Sequence, residues 1–182
     1  MNKTKDCFSS ARKAEEKGRK HKGLLIVKTD DRAAEQYIAK AKTNLRTCEI
    51  FKEQRLDYKI PEEWFYTMYY CALAILTKFN VESRSQKCTA LFLRVVKDKG
   101  LIEYDDEFIN RITVYSEKEE RTDVDLREEA RYGASVHSRG IMEKFDYMME
   151  VCKKCISQAE EIVYSDEEFK IPEELVRDIN NT

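Results

Sequence analysis

The segment Trp64-Phe65-Tyr66-Thr67-Met68-Tyr69-Tyr70-Cys71-Ala72-Leu73-Ala74-Ile75-Leu76 is apolar around most of the circumference of a helix. A helix without a polar face cannot lie on a surface, so neighbouring helices or a partner subunit must enclose it. At about 13 residues it is too short to cross a bilayer. Its start is well marked. Lys59-Ile60-Pro61-Glu62-Glu63 puts proline where its missing N–H costs nothing, and two carboxylates beside the positive end of the helix dipole. The same five residues return at Lys170-Ile171-Pro172-Glu173-Glu174, which reads as reuse of a good helix start rather than a duplicated domain.

What encloses this helix is expected to be helical too. The chain has five Gly and two Pro in 182 residues, against average usage of about 7% and 5%. Turns are therefore too scarce for a sandwich or barrel of many short strands. No GxGxxG or GxxxxGK[ST] phosphate loop occurs. Charged residues make up 37% and hydrophobic residues 42%, and eight Phe, ten Tyr and one Trp suffice for one core. We read an all-α, up-and-down bundle of about five helices in a single domain.

Apolar steps of three and four at Ala34, Tyr37, Ile38, Ala41, Leu45, Cys48, Phe51 and Leu56 predict a helix from Asp30 or Asp31 to near Tyr58. The central helix then runs from Pro61 to about Asn80. Ser83 or Ser85 opens a third helix that Gly100 closes. A weaker one covers 105–119. The last long helix carries a heptad-like seam of Ile141, Phe145, Met148, Cys152, Cys155, Ala159 and Ile162, suited to packing within the bundle or to a dimer interface. The one strand signal is Leu24-Leu25-Ile26-Val27.

The net charge of −2 hides an asymmetry. Residues 1–28 hold nine Lys and Arg against Asp6, Glu15 and Glu16, a balance of +6 that leaves −8 for the remainder. We therefore divide the chain into a basic, partly disordered arm (1–28), a bundle (29–164) and an extension with a short helix (165–182). Such an arm can meet phosphates, or pair with the acids of its own body. The six cysteines form no secreted framework, and Met1–Arg12 has no apolar run ahead of a cleavage site. A cytoplasmic protein with reduced thiols is expected. Cys152-x-x-Cys155 lacks the further ligands that zinc needs, so core packing is its expected role and no metal or cofactor is implied.

Only two histidines occur, His21 and His137, and neither accompanies a nucleophile motif. Arg131 and His137 stand six positions apart, with Gly133 between them, Gly140 just after and a charged run before. On a continuous helix they would lie about 120° apart, and a break at Gly133 or a facing second subunit would bring them to one cleft. Arginine can clamp a phosphate bidentately, and histidine can move a proton from a ribose hydroxyl, which suffices for metal-free RNA cleavage. The plainer reading is that Arg127 and Arg131, with Glu128 and Glu129, form an ordinary charged helix face.

From about Ala33 to Val163 the chain resembles the HEPN domain family, small all-helical bundles widespread in archaea and bacteria. The resemblance rests on Ala41-Lys42-Thr43-Asn44-Leu45, on Tyr69-Tyr70-Cys71-Ala72-Leu73-Ala74-Ile75-Leu76, on the segment from Val81 through Ser83 and Ser85 to Phe92, and on Arg131-Tyr132-Gly133 before the final helix. It implies a homodimer, a small nucleotidyltransferase as partner in a toxin–antitoxin pair, and ribonuclease activity from an Arg-x4–6-His motif assembled across the dimer cleft. Arg131-x5-His137 has that spacing, so Arg131 would orient the scissile phosphate and His137 would act in acid–base chemistry. RNA contact would fall to Arg127 and Arg139 beside the pair and to Lys13, Arg19 and Lys20 of the arm. Active members carry a polar residue after the arginine, where this chain has Tyr132. A subgroup instead reads R-x-D-x-x-Y, which Arg121-Thr122-Asp123 or Arg127…Tyr132 would represent here.

Three functions follow as expectations. The first is a dimeric, metal-independent endoribonuclease. The alternative is a non-catalytic dimeric module that binds a nucleotidyltransferase or a nucleotide through the aromatic central helix and the heptad seam. The third is a structural bundle whose arm docks on a membrane or ribosome, a role for which the arm's apolar face is poor.

Overall fold

The structure, a computed structural model, describes residues 2–28, 31–113 and 139–176. It is an all-α bundle with one minimal sheet. In order come α1 (Asn2–Glu16), β1 (Leu24–Ile26), α2 (Asp31–Glu53), a 3-10 turn (Asp57–Lys59), α3 (Ile60–Lys78), β2 (Val81–Ser83), α4 (Gln86–Asp98) and α5 (Asp106–Arg111). After 114–138 follow α6 (Arg139–Glu143), α7 (Phe145–Val163) and α8 (Glu173–Val176).

The central helix is the predicted one. Thirteen of the nineteen residues of α3 are buried, which places it inside a ring of other elements. Helix α2 runs antiparallel to it: Tyr37 meets Tyr70, and four residues on, the Ala41 carbonyl meets Thr67, three residues before Tyr70. Helix α7 closes a second side, where Trp64 meets Phe145 at 6.1 Å between ring centroids and Cys152 donates to the Trp64 carbonyl. Lys42–Glu160 and Lys52–Asp146 ion pairs run α7 antiparallel to α2. Of the seam, Phe145, Met148, Cys152, Cys155, Ala159 and Ile162 are buried and Ile141 is half-buried against the core, so the heptad pattern is consumed within the subunit.

Helix ends follow local chemistry. Ser85 caps α4 by accepting from the Cys88 N–H, and Gly100 (φ +67°) reverses the chain after it. Asn80 (φ +57°) does the same after α3. Three boundaries differ from expectation. Helix α2 stops at Glu53, because Arg55 turns left-handed (φ +56°) and Leu56 N–H returns to the Phe51 carbonyl. Helix α5 ends at Arg111, and 114–119 lie outside the described residues. The last helix breaks at Lys144, separating α6 from α7.

The N-terminal segment, expected as a partly disordered arm, contributes to the core. Phe8, Ala11 and Leu24 are buried, and Phe8 packs edge-on to Phe92 of α4. Strand β1 pairs antiparallel with β2, Leu24 opposite Ser83 and Ile26 opposite Val81. Gly23 lets this strand approach α1, since a Cβ there would stand 2.3 Å from the Cys7 carbonyl oxygen. The thiols are not all reduced: a Cys7–Cys88 disulfide joins α1 to α4 across 81 residues. The extension also docks, with Phe169 against Phe79, Leu175 buried, and Lys99 paired with Glu174.

Two stability measurements check this packing. Closing a loop of that length restricts the unfolded chain, so Cys7→Ser is expected to lower stability by roughly 2–4 kcal/mol, read as a lower thermal midpoint that reductant reproduces in the wild type. Phe65→Ala, at the centre of α3, is expected to cost roughly 3–5 kcal/mol in urea unfolding. A loss below about 1 kcal/mol would mean that α3 is not the enclosed element.

Candidate functional site

Of the residues singled out in the sequence, Arg127, Arg131 and His137 lie outside the described residues, and so does the side chain of Arg139, whose backbone opens α6. The elements that flank this segment are well placed. Helix α5 packs on α3 and α4, and α6 packs on α7 and the 3-10 turn. A polar cluster ties α5 to α7: Glu107 Oε1 accepts from Arg111 Nη2 at 2.7 Å and from the Tyr147 hydroxyl at 2.9 Å, and the Arg111 guanidinium lies 5.7 Å from the Tyr147 ring centroid. The Arg111 hydrogen bonds, reinforced by Tyr147, hold the Glu107 carboxyl below its ordinary value. Two residues earlier, Lys154 and Gln158 do the same for Asp105, whose N–H donates to the Gln158 side chain.

Lys13, Arg19 and Lys20 are exposed, as are Lys17 and Lys22. They occupy the C-terminal turn of α1 and the connector to β1, so five cations stand on a segment pinned at both ends. Lys13 lies in the last turn of α1, where the helix dipole favours a cation.

Cys152 and Cys155 are fully buried, as the core reading required. Cys155 Sγ lies 3.0 Å from the Tyr104 hydroxyl, and Cys152 faces the Trp64 carbonyl. No group of three metal-ligating side chains exists among the described residues. Burial pushes the Cys48 and Cys71 thiols and the Tyr104 phenol up, which keeps them neutral and unreactive. Among the described residues no helix is long and apolar enough to cross a membrane.

Two arrangements escaped the sequence reading. Tyr66, Tyr70 and Tyr37 form a continuous stack along the outer side of α3 and α2, with centroid separations of 5.8 and 6.1 Å. Lys40 Nζ lies 5.3 Å from the Tyr37 ring centroid and 5.5 Å from that of Tyr70. The i, i+4 spacing of Tyr66 and Tyr70 was visible, but their outward direction was not. The second is His21, read as part of a solvated arm and in fact buried. Gly23 N–H donates to its Nδ1 at 3.3 Å, so the ring hydrogen sits on Nε2, which faces Glu82 Oε1 at 3.4 Å. Glu82 Oε1 also accepts from Arg84 Nε at 2.6 Å.

These two arrangements meet at a groove of about 280 Å³ between α2, α3 and β2, lined by Val27, Tyr37, Leu73, Thr77, Glu82, Ser83 and Arg84 among others. It offers an aromatic face, two hydroxyls, an oriented carboxylate and a guanidinium. A second groove of about 370 Å³ lies between the end of α3 and residues 167–170, where Lys78 and Lys170 alternate with Glu167 and Glu168.

The α5–α7 tie has a pH signature. Because the folded Glu107 carboxyl titrates below its unfolded value, its contribution is complete above the ordinary carboxylate range and is lost as pH falls through the folded value. Arg111→Ala is expected to raise the Glu107 titration toward its ordinary position, read by carboxyl NMR. Thiol counting checks the core: without reductant, the native protein should show no fast-reacting thiol and the unfolded protein four. A comparison of the chain with protein-family models and with curated proteins finds no match.

Proposed function

We propose that the chain acts on RNA as a homodimer of the HEPN type, with Arg131 and His137 as the working pair of a metal-independent endoribonuclease. The observation that carries this reading is the Arg131-x5-His137 spacing, in the stretch between α5 and the last long helix of an all-helical bundle. On this reading Arg131 binds the scissile phosphate bidentately and stabilises its developing charge. His137 takes the proton of the ribose 2′-hydroxyl, whose oxygen attacks phosphorus. The P–O5′ bond breaks, leaving a 2′,3′-cyclic phosphate, and the proton taken up by His137 is passed to the departing 5′-oxygen. Lys13, Arg19 and Lys20 are the exposed cations that support a backbone contact outside the cleft.

A second reading, a non-catalytic dimeric module that binds a nucleotidyltransferase or a nucleotide, is favoured by the half-buried Tyr66 and Tyr70, which bring the aromatic side of α3 to the surface. The heptad seam no longer supports it, since those residues pack inside the subunit.

Cleavage of single-stranded RNA in EDTA by wild type, Arg131→Ala and His137→Ala separates the two readings, with oligomeric state measured on the same samples. The nuclease reading expects cleavage by wild type and a loss of at least about 100-fold in each variant, with the fold unchanged. An intact dimer that leaves RNA uncut from pH 6 to 8 would overturn it.

A further inference from the structure

We propose that the groove between α2, α3 and β2 binds one nucleobase with its attached phosphate, through residues other than Arg131 and His137. This deepens the RNA reading, on which it rests in part, by naming where one nucleotide unit sits.

Tyr37 lines the groove and is also the terminal member of the Tyr66–Tyr70–Tyr37 stack. A planar base entering beside it extends a stack that already exists, with Leu73 and Val81 as apolar wall. The volume of about 280 Å³ is at the low end for small-molecule sites. It suits a single nucleotide unit and is too small for a duplex.

The polar groups are built rather than incidental. Glu82 is held from behind by His21, a side chain with no exposed surface, through the imidazole Nε2–H. The carboxylate is an acceptor, so it favours a base with an exocyclic amino group, such as adenine, over uracil. Arg84 is the cation among the lining residues and is about half exposed (47%). Its Nε is engaged by Glu82, and a guanidinium carries further donors in the same plane for a phosphate.

The charge around the groove points the same way. Arg84 N–H donates to the Gly23 carbonyl at 3.1 Å, so the exposed cationic run reaches the strand beside Arg84 at its Lys22 end. A strand with one base in the groove would have its neighbouring phosphates near that run.

Binding is measured by NMR titration and calorimetry with 5′-AMP, 5′-UMP and a ten-residue oligodeoxyadenylate, which the nuclease chemistry cannot cut. Wild type is expected to bind AMP more tightly than UMP. Tyr37→Ala and Arg84→Ala should each weaken AMP about tenfold or more, while Tyr37→Phe keeps the ring and the affinity. Glu82→Ala should bring AMP and UMP together. Tighter binding of the oligomer than of AMP, lost in Arg84→Ala, assigns the site to a strand; equal binding assigns it to the free nucleotide. The proposal is overturned if neither AMP nor the oligomer binds, or if both bind Tyr37→Ala and Arg84→Ala as they bind wild type. RNA cleavage by wild type without any AMP or oligomer binding would leave the Arg131/His137 reading standing while the groove falls. AMP binding without any cleavage would do the reverse.

Discussion

Enclosure of α3 is the constraint on which the remaining architecture depends. A buried helix must satisfy the polar groups it takes inside, and α3 returns its threonine hydroxyls to its own backbone, while the buried Trp64 indole N–H has no partner among the described residues. Thr67 and Thr77 turn their hydroxyls back to the carbonyls of Glu63 and Leu73, at 2.8 and 2.9 Å. What remains is apolar surface on most sides, and each flanking element is shaped by covering part of it. Helix α2 covers one side with Ala34, Ile38, Ala41 and Cys48, all within 1% of full burial. Small residues such as Ala41 let the two axes approach closely, and Thr67 comes within 3.4 Å of the Ala41 carbonyl. Helix α7 covers another side with a seam that mixes Phe145 and Met148 with Cys152, Cys155 and Ala159. Phe145 packs beside Trp64, and the small Cys155 lies where Cys71 and Tyr104 already fill the space.

The N-terminal segment has a different task. Its helix and strand close the open side of the bundle near β2 and α4, held by the disulfide, by Phe8 against Phe92, and by strand pairing. The pairing register sets more than stability. It places His21 behind Glu82 and the Gly23 carbonyl beneath Arg84, so a residue from the first thirty orients a carboxylate on the far strand. With Gly23 N–H occupying Nδ1, the single ring hydrogen can point only toward Glu82.

How much of this could be read beforehand divides by the distance over which each feature is determined. Pro61 with Glu62 and Glu63, Ser85, Asn80 and Gly100 act within one turn of chain, and the helix boundaries they mark are found within a residue or two. The apolar period of α7 was legible for the same reason. Arg55 carries no such signal: a left-handed arginine has no composition cue, so the end of α2 was placed too late. The disulfide and the His21–Glu82 contact join positions 81 and 61 residues apart, which no local pattern encodes. Their absence from the sequence reading made residues 1–28 resemble a solvated tail. Arg131 and His137 were legible through spacing and family resemblance, and the groove was not, because Tyr37, Glu82 and Arg84 converge only once β1 and β2 have paired.

That convergence changes what the basic N-terminus can do. A flexible cationic tail attracts phosphates over a Debye length but orders nothing, and it loses entropy when it binds. Here Lys13, Lys17, Arg19, Lys20 and Lys22 are carried between a helix end and a paired strand, so their mutual spacing is largely set before any anion arrives. Preorganised cations lose less on binding and select for the spacing of the charges they meet. The same connector delivers Gly23 to Arg84, which places the cation of the groove and the exposed cationic run in one continuous backbone-bonded unit. The positive balance of residues 1–28 and the acidic balance of the body are thus joined at one edge, where a polyanion would meet positive charge first and oriented hydrogen-bonding groups next.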